Sequence, residues 1–326
     1  MSTLLLTRAD IRSLMTPADY LNAVELAFKL SKRGEAPSPA PIHLPGLGGA
    51  FHGKGAVLLG EKKRAVLKLN GNFPGNPANG LPTIQGVVLL CDAENGSVLA
   101  VMDSIEITLQ RTAAASALAA KHLARQNAKR LSVIGCGAQA LPHAQAMLDV
   151  LPIEGGAVWD TDRKKTVTMA AAMSDALGVD FAAANSLREA ARSGDVIVTC
   201  TTATTPFLCE ADVTPGAFIA AVGADSPQKS EIFPALMARA KVVPDVLTQC
   251  LEMGDLRHAI AAGVMTAEQI YGELADIVAA PAHLMRSPQD IFLFDSTGTA
   301  IEDAASASEI YDRALQRGAG MMARLS

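Results

Sequence analysis

The sequence lacks both long basic runs and long hydrophobic runs, and each absence excludes a class of protein. No run of Lys and Arg exceeds three residues and the formal net charge is -5, so we expect no nucleic-acid partner. No apolar run approaches the roughly 18 residues that would span a membrane. The N-terminus, MSTLLLTRAD, has no basic region before its leucines, which predicts neither a signal peptide nor an anchor.

Cysteine is scarce and scattered, which argues against a metal site or a disulfide framework. There are five cysteines and none has C-x-x-C spacing. Most lie in apolar surroundings, where a cysteine is typically a small buried hydrophobe. We therefore expect no metal, and a reduced protein in the cytoplasm.

The first third of the chain predicts a helix followed by β-structure. MTPADYLNAVELAFKLSKRG has the pattern of a capped helix, with Thr16 as N-cap, Pro17 in the first turn and Gly34 after the end. A stretch rich in proline and glycine, residues 36–60, follows it. AVLKLN, IQGVVLLCDA and VLAVMDS then favour strands, the last two joined as a hairpin.

From Ile107 onward the pattern alternates between strands and helices. ITLQRTAAASALAAKHLAR is helical, and LSVIG, GAVWD, VDFAA, DVIVTC, AFIAAVG, AKVVPD and DIFLFD favour buried strands. This alternation predicts a parallel sheet covered on both faces, in a doubly wound α/β fold of the Rossmann type. The last helix, AASASEIYDRALQRGAG, could fold back on the first domain.

The segment LSVIGCGAQALPHAQAMLDVL predicts a dinucleotide-binding turn between a strand and a helix. Gly135 permits the tight turn, Gly137 lets the backbone approach a pyrophosphate, and Ala140 allows close packing of helix and strand. Asp160 follows Gly135 by 25 residues, near the spacing at which an acid binds the adenosine ribose. Asp160 favours NAD, although the basic residues 163–165 could accept a 2′-phosphate. A purely structural turn is the alternative.

The stretch FIAAVGADSPQKSEI ends an apparently buried strand on a carboxylate, Asp225. One interpretation is that Asp225 or Ser226 caps a helix beginning at GADSP. The other is chemical, since parallel strands deliver their C-terminal ends to the edge where ligands bind. The local sequence leaves both open.

Five blocks in order, KLNGNFPGNPANGLPTIQG, AVMDSIEITLQRTAAASALAAKHLA, VIGCGAQA, VGADSPQKSEI and FDSTG, resemble the ornithine cyclodeaminase/μ-crystallin family. They extend from Lys68 to Gly298. The resemblance implies a homodimer whose subunits each have two domains. A substrate-binding and dimerisation domain, with α+β structure, would comprise residues 1–112 and 305–326, and a Rossmann domain would comprise residues 113–304. It also implies that the long loop before Pro82 forms part of a pocket wall.

The resemblance assigns roles to individual residues. Asp225 would be the catalytic acid/base, and Lys68 would meet the substrate and take part in catalysis. Arg111 would clamp the substrate carboxylate, and Thr297 would also touch the substrate. The positions matching dinucleotide contacts are Thr83, Arg111, Gly135, Gly137, Ala138, Gln139, Asp160, Thr201, Ile219, Ala220, Ala221, Val222, Lys229 and Ser296; residues 219–222 would form a turn. The register at Thr201 is ambiguous within TCTTATT. A surface position for Arg111 and a solvent-facing Lys68 are the alternatives.

The chain departs from the family pattern upstream of Lys68. Many members carry an arginine there, in a P-x-R context, that also binds the substrate carboxylate, whereas SPAPIHLPG contains none. Either Lys54 replaces it or the substrate is held differently. His43 and His52 are nearby and could act as bases, or be loop or packing histidines.

These features predict an NAD(P)-dependent oxidoreductase acting on a small amino or imino acid. Reduction of a cyclic imine, of the Δ1-pyrroline-2-carboxylate to proline type, is the favoured reaction. Ornithine cyclodeamination and alanine dehydrogenation are the enzymatic alternatives. A non-catalytic, nucleotide-dependent binding protein like μ-crystallin is the alternative of another class.

Overall fold

The computed structural model describes residues 2–281 and 285–324, and the chain divides into two compact units. The first unit is Met1–Thr112 with Thr299–Ser326, and the second is Ala113–Gly298. The predicted second boundary, between residues 304 and 305, falls inside a continuous helix, Ala300–Arg317. That helix belongs entirely to the first unit, so the boundary lies before it.

The first unit contains a seven-stranded mixed sheet and four helices or parts of helices. Its elements in chain order are β1 (Ser2–Leu6), α1 (Arg8–Leu14), α2 (Pro17–Lys32), β2 (Ile42–Gly46), β3 (Gly49–Leu59), β4 (Lys63–Asn72), β5 (Ile84–Asp92), β6 (Val98–Asp103), the start of α3 (Ser104–Leu123), α11 (Ala300–Arg317) and β14 (Met321–Arg324). The strand order is β14-β1-β6-β5-β4-β3-β2. Only the pairing of β1 with β6 is parallel.

Local signals predicted α2 and the hairpin of β5 and β6 correctly. Thr16 caps α2, and its side chain and that of Asp19 bond reciprocally to each other's backbone N–H. Gly34 then adopts a φ of 73°, a left-handed conformation that glycine reaches without strain. By contrast, β2 and β3 both lie within the stretch rich in proline and glycine, where composition showed no strand signal.

The two faces of this sheet have different environments within the unit. Helix α11 packs on one face of β3 and β4, over buried side chains such as Ala56, Val66 and Leu90. On the opposite face, the exposed large apolar side chains include Ile42, Leu44, Phe51, Leu67, Leu69 and Val87, which are 38–54% exposed. Their positions follow from the strand register, because successive side chains alternate between faces.

The second unit is a seven-stranded sheet whose strand pairs are all parallel, as predicted. Its elements are the end of α3, then β7 (Arg130–Ile134), α4 (Ala140–Val150), β8 (Gly155–Trp159), α5 (Arg163–Leu177), β9 (Asp180–Ala183), α6 (Leu187–Ser193), β10 (Val196–Thr199), β11 (Phe218–Ala221), α7 (Pro234–Arg239), β12 (Lys241–Pro244), α8 (Leu247–Cys250), α9 (Gly254–Ala261), α10 (Leu274–Ala279) and β13 (Phe292–Asp295). The strand order is β12-β13-β11-β10-β7-β8-β9.

This order changes direction between β7 and β10, the switch point where ligands bind in such folds. The central strands are buried on both faces, which explains their near-continuous apolar sequences. Within residues 2–281 and 285–324, no helix is long and apolar enough to cross a membrane.

Candidate active site

A buried group of charged side chains lies in the first unit. Lys68 comes from β4, Arg111 from α3, and Glu302 and Asp303 from the first turn of α11. Asp303 Oδ2 lies 2.6 Å from Lys68 Nζ, and Asp303 Oδ1 accepts a hydrogen bond from Arg111 Nε at 3.1 Å. Arg111 Nη1 donates to Glu302 Oε2 at 2.8 Å. The four side chains therefore form one connected ion network.

Lys54 adds a third cation beside this network. It lies on β3 directly opposite Lys68, so the two side chains share a sheet face. Like charges in directly opposite positions are destabilising. With Arg111 the group has three cations against the two carboxylates of Glu302 and Asp303. The excess positive charge suits a carboxylate ligand.

Burial and neighbouring charges alter the protonation of Lys68 and Asp303. Burial, the Arg111 charge and the Lys54 charge lower the pKa of Lys68 to about 8, although pairing with Asp303 opposes them. For Asp303, burial acts to raise the pKa, but Arg111 and Lys68 outweigh it and hold that pKa below its usual value. Asp303 therefore stays ionised, while Lys68 can exchange a proton near neutral pH.

The burial of Lys68 and Arg111 rules out both surface alternatives. Lys68 is 3% exposed and Arg111 is 4% exposed. Arg111 is also more constrained than the sequence suggested, because two carboxylates already accept from Nε and Nη1. A substrate carboxylate would have to use its remaining donors, so a bidentate clamp by Arg111 stays a prediction. No sequence pattern marked Asp303, apart from two acids within an alanine-rich helix.

The glycine-rich turn of the second unit has the geometry that a dinucleotide needs. Gly135 follows β7 with a φ of 104°, and a Cβ there would lie 2.8 Å from the carbonyl oxygen of Cys200. Gly137 and Ala138 are exposed, and a Cβ on Gly137 would meet nothing within 4 Å. Helix α4 begins directly after Gln139. An exposed backbone at a helix N-terminus fits a pyrophosphate.

Asp160 follows β8 and is bonded to this turn. Its Oδ2 accepts from Cys136 N at 2.9 Å, and its Oδ1 accepts from Asp162 N at 2.9 Å. Burial acts to raise the pKa of Asp160, but these backbone bonds outweigh it and keep the pKa below its usual value. A carboxylate can accept about four hydrogen bonds, so capacity remains for a ribose hydroxyl.

The structure decides the capping question at Asp225. No helix begins at GADSP: the chain makes a turn at residues 226–229, and the next helix, α7, starts at Pro234. The prediction of a helix there is therefore wrong. The side chain of Asp225 is 54% exposed, and Lys229 Nζ lies 2.6 Å from its Oδ1. Asp225 is an exposed carboxylate held by a lysine, beyond the C-terminal end of β11.

Glu231 is a buried carboxylate that the sequence reading did not identify. Its Oε1 accepts from the backbone N and the hydroxyl of Thr201, both at 2.7 Å. Its Oε2 accepts from Thr199 Oγ1 at 2.6 Å and Gly223 N at 2.8 Å. Burial and the charge of Asp255 raise the pKa of Glu231 to about 7. No local pattern marks it, because its partners belong to other segments.

Other predicted dinucleotide contacts have mixed environments. Ile219, Ala220 and Ala221 form β11 and are at most 1% exposed, so the predicted turn at 219–222 is wrong. The strand extends further because its apolar side chains fill the core on both faces. Val222 follows the strand directly and is also buried, while Thr201 and Lys229 bond to Glu231 and Asp225, as described.

The predicted contacts at the end of β13 lie in a buried network. Ser296 and Thr297 are each 2% exposed. The Thr297 hydroxyl donates to Asp245 at 3.0 Å and accepts from Gln249 Nε2 at 2.7 Å. In the first unit, the carbonyl of Thr83 accepts from Phe73 N at 2.8 Å. These bonds show how the segments are held, while their ligand contacts stay predictions.

His43 and His52 face each other across β2 and β3. Their Nδ1 atoms lie 3.4 Å apart and their rings meet edge to face. The strand register places His52 on the same sheet face as Lys54. Within residues 2–281 and 285–324, no group of three or more His, Cys, Asp or Glu side chains has the arrangement of a metal site.

The chain is similar to known proteins over its whole length. Residues 1–318 match the model of the ornithine cyclodeaminase/mu-crystallin family. An alanine dehydrogenase from Archaeoglobus fulgidus is 36% identical over 320 residues, 98% of each chain. An archaeal alanine dehydrogenase dimer with bound NAD superposes with a TM-score of 0.94 at 34% identity, covering 100% of both chains.

The Thermococcus litoralis Δ1-pyrroline-2-carboxylate reductase, solved with NADH and L-proline, also gives a TM-score of 0.94, at 32% identity. The match covers 98% of this chain and 99% of that one. The ordered motifs, the two units and these similarities lead to one assignment. The chain belongs to the ornithine cyclodeaminase/mu-crystallin family.

Proposed function

We propose that this protein is an NAD(H)-dependent oxidoreductase that reduces the C=N bond of a cyclic imino acid, of the Δ1-pyrroline-2-carboxylate to proline type. The cationic group of the buried Lys68 and Arg111 with the half-buried Lys54 carries the proposal, because it offers a largely desolvated site for the carboxylate of such a substrate. The dinucleotide turn at Gly135 and its acid, Asp160, supply the second requirement.

The reaction needs a carboxylate site, a hydride and a proton. When bound, the dinucleotide supplies hydride to C2 of the substrate. Lys54 and Lys68 bind the carboxylate electrostatically, and Lys54 takes the place of the missing upstream arginine. An imine accepts hydride readily only as an iminium, which a neighbouring carboxylate stabilises. We assign that role to Asp225, with Lys68 as a second group able to exchange a proton.

Two other activities and one non-catalytic function compete with this proposal. The similarity to alanine dehydrogenases favours an open-chain imine formed from pyruvate and ammonia. Ornithine cyclodeamination is less favoured, because the upstream arginine is absent from SPAPIHLPG. A binding protein without turnover would retain the dinucleotide site. The buried Arg111 beside a lysine of lowered pKa favours an enzyme.

An absorbance assay at 340 nm with purified protein separates these functions. NADH oxidation would be followed with Δ1-pyrroline-2-carboxylate, with pyruvate plus ammonia, and with other 2-oxo acids plus amines. NAD reduction would be followed with proline, alanine, ornithine and lysine. We expect the highest kcat/KM with the cyclic imine. NADH binding without turnover of any of these compounds would instead support the binding function.

The prediction about the cofactor concerns Asp160. We expect NADH to bind more tightly than NADPH, because the ionised carboxylate repels a 2′-phosphate. Asp160→Ser should narrow or reverse that preference, with residues 163–165 available to a phosphate. Fluorescence titration of both cofactors with both proteins measures the ratio. Tighter binding of NADPH by the wild-type protein would contradict the prediction.

We also propose that the protein is a homodimer. The first unit has an exposed apolar face, which we define by Ile42, Leu44, Phe51, Leu67, Leu69 and Val87. Single exposed apolar side chains are normal on a protein surface, but a group on one sheet face indicates an interaction site. Multi-angle light scattering at micromolar concentration should give twice the chain mass of 33.9 kDa. Leu67→Glu, in the middle of this face, should shift the protein toward monomer. A monomeric wild type would contradict the proposal.

A further inference from the structure

The segment that carries Asp225 is closed by a side chain at its own end. We define the Asp225 loop as residues 223–231. Glu231 Oε2 accepts from Gly223 N at 2.8 Å, so the last residue of the loop binds the first. Gly223 is required for this approach, because a Cβ there would lie 2.4 Å from Glu231 Oε1 and from the Thr201 carbonyl.

The same carboxylate fixes the closed loop to β10. Its two oxygens also accept from Thr199 at the end of that strand and from Thr201 beyond it. Asp255 holds the adjoining backbone, since its Oδ1 accepts from Glu231 N at 2.8 Å and Ile232 N at 3.0 Å. The base of the loop is therefore tied to the sheet, whereas Asp225 is exposed.

Within the loop, several contacts then orient Asp225 relative to that base. Asp225 N donates to Gly223 O at 3.0 Å, and Lys229 N donates to Ser226 O at 3.1 Å. The Asp225 carboxylate meets Lys229 Nζ. The position of Asp225 thus depends on Gly223, and the position of Gly223 depends on Glu231.

We infer that Glu231 is a positioning residue for Asp225: it closes the Asp225 loop and fixes the acid/base carboxylate relative to the ends of β10 and β11. The expected effect of Glu231 on kcat rests on the proposed function. The closure of the loop by Glu231 rests on the hydrogen bonds alone. A carboxylate is needed, because each oxygen faces a backbone N–H, of Thr201 and of Gly223. A carboxamide must direct its NH₂ group at one of them.

The kinetic test is a double-mutant cycle between Glu231→Gln and Asp225→Asn. Glu231→Gln should lower kcat, measured at saturating NADH, by about 10-fold, since the loop no longer holds Asp225. Added to Asp225→Asn, the same substitution should change kcat less than about 2-fold, because the group it positions is already lost. Equal fold-losses in both backgrounds would overturn the inference.

Hydrogen–deuterium exchange tests loop closure without any substrate. Glu231→Gln should increase exchange in a peptide covering residues 223–230 by about 10-fold or more, leaving β7 and β8 unaffected. Unchanged exchange in residues 223–230 would show that Glu231 does not close the loop. This result can be obtained even if the protein turns over no substrate, so it distinguishes a failure of the inference from a failure of the proposed function. Glu154→Gln, at an exposed carboxylate of the same unit, is the matched control and should change nothing.

A second, milder variant tests the inference if Glu231→Gln does not fold. Thr199→Val removes one of the four donors to Glu231 and keeps the shape of the buried side chain. It should lower kcat by a smaller factor than Glu231→Gln, and again only when Asp225 is present. Wild-type exchange and kcat in Thr199→Val, together with additive losses for Glu231→Gln, would contradict the assignment.

Discussion

Asp225→Asn is expected to lower kcat by about 100-fold or more, in line with the loss of general acid–base catalysis. Asparagine has the same shape but cannot exchange a proton with the substrate nitrogen. Steady-state kinetics with the best substrate measures kcat, and fluorescence titration measures NADH binding. Asp175→Asn, at an exposed position on α5, serves as the control and should retain wild-type kcat.

The structure makes this experiment easier to interpret than the sequence did. Asp225 caps no helix and is 54% exposed, so the asparagine variant should keep its melting temperature. An exposed ion pair with Lys229 contributes little to stability. If Asp225→Asn turns over like the wild type, the carboxylate has no part in proton transfer and the mechanism is wrong.

Lys68→Met is expected to lower kcat/KM by about 30-fold to 5,000-fold, the range for removing one partner of a buried charged contact. Stability should change little, because Asp303 keeps its contact with Arg111 and methionine has a similar volume. Kinetics together with urea unfolding measures the two effects. Unchanged kcat/KM would contradict a role for Lys68 at the substrate.

Arg111→Ala cannot provide the same information. It removes one of the partners of Asp303 and of Glu302, which are both buried. Removing one partner of a buried ion pair destabilises a protein by about 3–5 kcal/mol. Loss of activity in that variant would therefore combine substrate binding with unfolding.

The lowered pKa of Lys68 also predicts a pH dependence. Above about pH 8 the ammonium is lost, so affinity for a carboxylate ligand should fall as pH rises. Lys68→Arg should remove this decline, because guanidinium stays protonated. Inhibition by proline or pyruvate, measured from pH 6 to 10, tests it; an equal decline in both proteins would assign the titration to another group.

The sign of the effect on stability follows from the same shift. Lys68 has a folded pKa of about 8 against an ordinary value of 10.5. Between these values the unfolded chain binds more protons, so the contribution of Lys68 to the free energy of unfolding rises with pH. Below pH 8 the unfavourable burial of a charged lysine is fully present. Comparing wild type with Lys68→Met across this range isolates the contribution.

The sequence determined the features that depend on neighbouring residues along the chain. The seven parallel strands, the capped helix α2 and the turn at Gly135 each follow from periodicity, a cap or a glycine that a tight turn requires. The motif order also determined the family. These signals are local, because each rests on a few consecutive residues.

The tertiary structure decided which charged side chains meet. Lys68, Arg111 and Asp303 come from β4, α3 and α11, and Asp303 lies 192 residues after Arg111. Their burial and the pKa of Lys68 depend on the long-range packing of α11 against β3 and β4. No local pattern encodes that packing.

The same distinction explains the error at GADSP and the omission of Glu231. Small and polar residues followed by a proline, as in GADSP, are typical of a helix start. In the folded chain, however, Glu231 binds the backbone N–H of Gly223, and Asp255 binds the backbone N–H of Glu231. Those carboxylates satisfy N–H groups that belong to other segments, so only the folded chain shows that they are buried. Local sequence specified the strands of the second unit and helix α2, whereas long-range hydrogen bonds and burial decided how the site residues are held.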